Sequence, residues 1–246
     1  MDIQIAAIIP ARYDSTRFKG KPLVKIAGKP MIEQVYRQVE KCKKFTDIIV
    51  ATDDKRIAQT VYKFGGQYQM TSGNIRSGTD RIWEVLKNSN YDAVINIQGD
   101  EPLISEKLIS KLYDTLLNEK ERVVSAFYVN KSFEDFGSRD IVKVVLDNHF
   151  QALYFSRSPV PHQTVDQFQE FNQHIGIYGY WRDILERFVN FPPSKPEKLE
   201  RLEQLRFLSN DIMIKLVESD CPSIGVDVPE DIERIENLMG IENEKD

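Results

Sequence analysis

Residues 5–22 read IAAIIPARYDSTRFKGKP, an apolar run that breaks at once into a basic, hydroxyl-bearing loop. Ile5–Ile9 is far shorter than a membrane span and predicts a buried strand. The loop beyond it carries Arg12, Arg17, Lys19 and Lys21 within ten residues, with Ser15 and Thr16 among them. A polyphosphate calls for such a set: guanidinium forks, a mobile ammonium and small donors around dense negative charge. The spacing is not that of a P-loop, because GxxxxGK[ST] is absent. Composition alone also fits a solvated basic turn, but the position at a strand's carboxyl end favours an anion.

Working outward, Ile48–Ala51, Ala93–Ile97 and Val123–Val129 predict further strands. Between them Ile32, Val35, Tyr36 and Val39 fall at i, i+3, i+4 and i+7, with Pro30 suited to the first turn of that helix. Asp53 or Asp54 can cap a second helix through about Phe64, and Ser105 another through about Leu117. Alternation of strand and helix predicts an α/β fold with a mostly parallel nucleotide-binding sheet flanked by helices. Ligands in such sheets gather beyond the strands' carboxyl ends, here the loops after Ile9, Ala51 and Ile97. Ile141–Leu146, Ala152–Phe155 and His174–Trp181 follow with little helix between them. They predict a central antiparallel insertion at about 130–182 within a single domain of residues 1–246. Leu199, Leu202, Leu205 and Leu208 predict a helix, Ile212–Val217 a strand, and Pro229–Met239 a closing helix.

The formal charge of −5 argues against a general nucleic-acid or anionic-membrane surface. Two cysteines without CxxC spacing make a zinc site or disulfide framework improbable. The N-terminus lacks a basic signal-peptide start, and no segment reads as membrane-inserted, so the expected location is cytoplasmic.

Four further segments carry chemistry. The strand ending near Ile97 runs into Gln98-Gly99-Asp100-Glu101-Pro102. A carboxylate there can ligate Mg²⁺ beside substrate phosphates, and Gly99 would let a ligand approach the backbone. Asp227, in Gly225–Asp231, is a second carboxylate candidate whose plainer role is to cap the last helix. Residues 71–81 form a hydroxyl-rich loop opening a helix near Thr79, suited to an anion or to a simple N-cap. On a regular strand His174, Gly176, Tyr178 and Tyr180 share one face, placing His174 and Tyr178 ~13 Å apart, while Arg157 could grip a carboxylate bidentately.

Nine stretches then resemble the CMP-Kdo synthetase (3-deoxy-manno-octulosonate cytidylyltransferase) family. They are IIPARYDSTRFKGKPL, VATDD, SGTDRIWEV, NIQGDEPLI, VKVVLD, ALYFSRSPVP, HIGIYGY, LERLEQLR and GVDVPEDIERI, in family order over nearly the whole chain. The resemblance implies a nucleotide-diphospho-sugar transferase-like fold that joins CTP and the sugar acid Kdo into CMP-Kdo, with release of pyrophosphate. It implies that Arg12, Ser15 and Lys21 bind the triphosphate, with Thr52, Ser77 and Gln98 nearer the nucleoside. Asp100 and Asp227 would hold Mg²⁺, making Lys21, Arg12 and Asp100 the catalytic set. Arg157, His174, Tyr178, Glu203 and Gln204 would face the sugar acid. The family is usually a homodimer built through its central antiparallel region.

One position departs from the pattern: Ile75 stands where a His usually precedes SGTDR. A Kdo analogue such as the 8-amino-3,8-dideoxy sugar is therefore a second candidate, and another CMP-sugar synthetase a third. A non-catalytic nucleotide-sugar sensor would not need both Asp100 and Asp227. A metal-dependent glycosyltransferase would typically show a DxD motif, whereas QGDEP has one Asp.

Overall fold

The computed structural model describes residues 3–14, 18–75, 77–118 and 122–240. The chain forms two compact units, one of Met1–Ile109 with Ser223–Asp246 and one of Ser110–Pro222.

The first unit begins with β1 (Ile5–Ala11), the short pair β2 (Lys25–Ile26) and β3 (Lys29–Pro30), and α1 (Met31–Lys41). β4 (Asp47–Thr52), α2 (Lys55–Lys63), β5 (Gln67–Met70), α3 (Gly78–Lys87) and β6 (Ala93–Asn96) follow. Its strands are parallel in the order β6-β1-β4-β5. Ile5, Ile8 and Ile9 are fully buried, as a strand covered on both faces requires. Helix α1 buries Ile32, Val35, Tyr36 and Val39, the predicted stripe, together with Met31. Pro30 sits one position earlier than expected, at the N-cap, where its missing N–H costs nothing. β5 is absent from the pattern reading because QYQM is mostly exposed and has no apolar alternation, as suits the last strand in the order.

Helix α4 (Glu106–Asn118) leads into β7 (Val123–Asn130) of the second unit. Then come α5 (Phe133–Gly137), β8 (Lys143–Leu146), β9 (Ala152–Ser156), β10 (Phe171–Trp181) and α6 (Arg182–Asn190). Helices α7 (Lys195–Glu200) and α8 (Leu205–Leu208) precede β11 (Lys215–Glu218). β8 runs antiparallel to β9 and to β10, as expected of the central region, whereas β7, expected among the strands of the mostly parallel sheet, is antiparallel to β10 and parallel to β11. The chain ends in α9 (Asp231–Leu238) of the first unit.

Three expectations need correction here. The leucine-spaced helix over Leu199–Leu208 is two short helices, because Arg201 takes a left-handed conformation (φ 55°) that closes α7. Leu199 is consequently exposed while Leu202 and Leu205 are buried, so the i+3 spacing was only accidental periodicity. The strand expected over Ile212–Val217 starts at Lys215, after Asp211 turns the chain at φ 58°. The closing helix starts at Asp231, two residues after Pro229.

Candidate active site

The carboxyl ends of β1, β4 and β6 lie side by side, with Ala11 opposite Thr52 and Ile8 opposite Asn96. The basic loop therefore leaves the sheet where the second and third loops do. Gly20 closes its turn at φ 75°, where its N–H donates to the Tyr13 carbonyl at 2.8 Å. A Cβ on Gly20 would sit 3.1 Å from the Tyr13 ring, so both the dihedral and the space require glycine. Arg12 is exposed at the loop's start, and Ser15 lies outside the described residues.

Beyond β6 the backbone turns tightly at Gly99. A Cβ there would lie 2.8 Å from the Pro10 carbonyl oxygen, so glycine admits the close approach of the chain's own backbone. The next residue, Asp100, is fastened to the C-terminal segment, since the Val226 N–H donates to the Asp100 carbonyl at 2.9 Å. Asp227 thereby comes to the same place. The Asp231 carboxylate accepts from the N–H groups of Asp227 (2.7 Å) and Val228 (3.0 Å), and the start of α9 has no side-chain cap from Asp227.

The Lys21 ammonium is what the two acids share. It donates to Asp100 Oδ2 at 2.6 Å and to the Val226 carbonyl at 2.7 Å, and lies 3.6 Å from Asp227 Oδ1. Two carboxylates converging on one cation form a donor set that suits Mg²⁺, which takes few protein oxygens and completes its shell with phosphate and water. Among the described residues no group of three or more His, Cys, Asp or Glu could hold a metal. Next in sequence, Glu101 is buried, and desolvation pushes its pKa up to about 7, with a contribution from Asp100 and an opposing hydrogen bond from Ser223.

The nucleoside-side expectations divide. Thr52 is buried, and its hydroxyl accepts from the Asp54 N–H at 3.2 Å, shaping the entry to α2. Ser77 caps α3 by accepting from the Asp80 N–H at 3.0 Å. Gln98 stands half-buried at the head of the Asp100 turn, its carbonyl accepting from the Glu101 N–H. A buried guanidinium that the sequence reading passed over braces this edge. Arg81 donates to Asp53 at 3.0 Å and to the Thr71 hydroxyl, joining the α3 start to the loop after β4. Its position, fourth from the start of an apolar helix, gave no signal of burial.

In the second unit β10 departs from regular geometry. Ile175 faces Ala126 and Tyr178 faces Ser125, so Gly176 and Ile177 are two extra residues on β10. The bulge brings the rings of His174 and Tyr178 to 5.5 Å, which corrects the ~13 Å expected from unbroken strand rise. Desolvation lowers the His174 pKa to about 3, and burial raises that of Tyr178 well above its usual value, with Glu203 adding to the rise. Glu203 and Gln204 lie on the turn into α8, Gln204 buried. Arg157 is held by the chain itself: Nε donates to the Glu200 carbonyl (3.0 Å) and Nη1 to the Arg139 carbonyl (2.9 Å). A bidentate grip would have to use Nη2 and the remaining Nη1 hydrogen.

Residues 6–216 match the cytidylyltransferase family. A 3-deoxy-manno-octulosonate cytidylyltransferase of Desulfosudis oleivorans is 47% identical, covering 96% of this chain and 98% of its own. The protein of that name from Geotalea uraniireducens is 43% identical over 95% and 98%. The chain belongs to the 3-deoxy-manno-octulosonate cytidylyltransferase family. A solved CMP:2-keto-3-deoxy-manno-octonic acid synthetase complexed with CTP superposes with a TM-score of 0.92 at 38% identity, covering 96% of this chain and 98% of that one. A glucose-1-phosphate thymidylyltransferase of Bacillus anthracis, at 16% identity and a TM-score of 0.68, shares the fold alone. As a member of a cytidylyltransferase family this chain is a nucleotidyltransferase.

Proposed function

We propose that the chain activates 3-deoxy-manno-octulosonate (Kdo), converting CTP and Kdo to CMP-Kdo and pyrophosphate for lipopolysaccharide biosynthesis. The convergence of Asp100, Asp227 and the Lys21 ammonium at the end of a basic loop carries this reading. The relatives bearing that name support the choice of sugar. In the reaction the sugar's anomeric hydroxyl attacks the α-phosphorus, the bond to the bridging oxygen breaks, and pyrophosphate leaves. Mg²⁺ held by Asp100 and Asp227 would offset phosphate charge and orient the triphosphate. Arg12 and Lys21 stabilise the charge that grows on the leaving pyrophosphate, and Ser15 donates to the same phosphates. Thr52, Ser77 and Gln98 serve the nucleoside, largely through the loops they shape. Arg157, His174, Tyr178, Glu203 and Gln204 serve the sugar acid. Positioning supplies most of the remaining acceleration, and no covalent intermediate with the protein is required.

Residues 1–246 act as one catalytic domain in the cytoplasm, as a homodimer formed through the antiparallel region at 130–182. Among the described residues no helix is long and apolar enough to cross a membrane. A second sugar, the 8-amino analogue of Kdo, is favoured by Ile75, which is half-buried in the loop that opens α3. The deciding experiment mixes enzyme, CTP and Mg²⁺ with each sugar and measures pyrophosphate. One pyrophosphate per Kdo consumed is expected, with a higher kcat/KM for Kdo than for the analogue. Silence with both sugars would sink the reading.

A further inference from the structure

Ser125 is fully buried in β7, faces Tyr178 across the β7–β10 ladder, and appears in none of the family stretches recognised in the sequence. Its hydroxyl meets four groups of the bulge. The carbonyl oxygens of Ile177 and Ile175 lie at 2.9 and 3.3 Å, His174 Nε2 lies at 3.0 Å, and the Tyr178 hydroxyl is also a hydrogen-bond partner. A serine has one hydrogen to give and two lone pairs with which to accept. Carbonyl oxygens can only accept, so the hydrogen must point to their side, and Ile177 is the nearer. Were it turned to His174 instead, two buried carbonyls would confront a lone pair, at the cost of an unmade buried hydrogen bond.

We infer that Ser125 is a positioning residue that fixes the His174 imidazole as its Nε2–H tautomer, leaving Nδ1 as an acceptor for a hydroxyl of the sugar. The donor count requires it: Ser125 gives its one hydrogen to the carbonyl side of the bulge and must therefore receive one from His174 Nε2. The same four bonds pin the two extra residues of β10, so Ser125 also sets the 5.5 Å approach of the His174 and Tyr178 rings. The depressed pKa agrees, since a ring that stays neutral at ordinary pH cannot serve as a cation for the sugar's carboxylate. That task is left to groups such as Arg157. The assignment to sugar rests on the function proposed above; the tautomer does not.

Nitrogen-15 NMR of the histidine rings in the ligand-free full-length enzyme tests it. The chain has three histidines, so comparison with His174→Gln assigns the ring directly. At pH 7 His174 should show the Nε2–H tautomer, and Ser125→Ala should shift it towards Nδ1–H. With CTP and Kdo, Ser125→Ala should raise the KM for Kdo about tenfold, the worth of a buried hydrogen bond, with the KM for CTP unchanged. Ser125→Cys, which keeps the volume and a weak donor, should fall between and replaces the alanine variant if that one does not fold. An Nδ1–H or doubly protonated His174 in the wild type overturns the inference, as does a ring and a Kdo KM indifferent to both substitutions. Failure of the wild type to use Kdo at all would overturn the proposed function and leave the tautomer result standing.

Discussion

Lys21 reaches Asp100 and the Val226 carbonyl, 79 and 205 positions along the chain, with its side chain only 13% exposed. At that degree of burial an acid lost from the cluster leaves a cation under-compensated, yet Asp100 and Asp227 stay partly open to water, which limits the structural cost. Asp100→Ala and Asp227→Ala should each lower kcat more than about a hundredfold, as loss of a metal ligand does, with melting temperatures within a few degrees of wild type. Near-normal turnover in either would move the metal elsewhere. His174 supports a separate test. Its folded pKa, near 3, lies below the unfolded value of about 6.5, so the unfolded chain binds the extra proton between those values. Stability therefore rises with pH across that window, and this contribution is complete above about pH 6.5. Glu101, raised to about 7, slopes the opposite way, so the informative quantity is the difference between wild type and His174→Gln. Denaturant unfolding from pH 4 to 7 should show a flatter acid limb in the variant; identical slopes would mean that the ring protonates freely in the folded state.

At the scale of elements, α7 matters through its last residue. Glu200 accepts from the Ser156 hydroxyl (2.7 Å) and the Arg157 N–H (2.9 Å), and its carbonyl accepts from Arg157 Nε. The helix is itself fixed by a capping box from Ser194 and Glu197. Glu200→Ala should raise the KM for the sugar acid several-fold while the KM for CTP holds, measured under saturating partner substrate. Equal changes in both would mark a general loosening. The parallel strands of the first unit were legible because Ile5–Ile9 and Ile48–Ala51 are apolar throughout and Ala93–Ile97 is apolar except for Asn96. Two-residue features were not. The bulge at Gly176–Ile177 depends on bonds to Ser125, distant in sequence, and the end of α7 on the backbone dihedral of Arg201 alone, so the local pattern continued across both as if the strand and the helix were unbroken. Asp100 and Asp227 were each visible as carboxylates beside a turn. Their meeting was not, because it depends on one backbone hydrogen bond and on Lys21.

The whole molecule is acidic, with a formal charge of −5, yet concentrates cations where a triphosphate would be held. Its second unit carries apolar side chains in the open: Leu153 is 57% exposed and Tyr154 38%, both on β9 within the proposed dimer region. Neighbouring apolar groups left to water at this level favour a partner surface. Sedimentation velocity should give a dimer for the wild type, with Leu153→Lys shifted towards monomer; a wild-type monomer at micromolar concentration would remove the proposed interface.

The bond from Val226 to Asp100 also has a meaning in time. One acid of the pair, Asp227, lies 127 positions after the other along the chain and is therefore made later. The basic loop, the parallel strands and Asp100 are all synthesised before it. A nascent chain can therefore fold most of its nucleotide end while still lacking the second carboxylate. Competence arrives only once the segment around Asp227 has been made and takes its place beside Lys21.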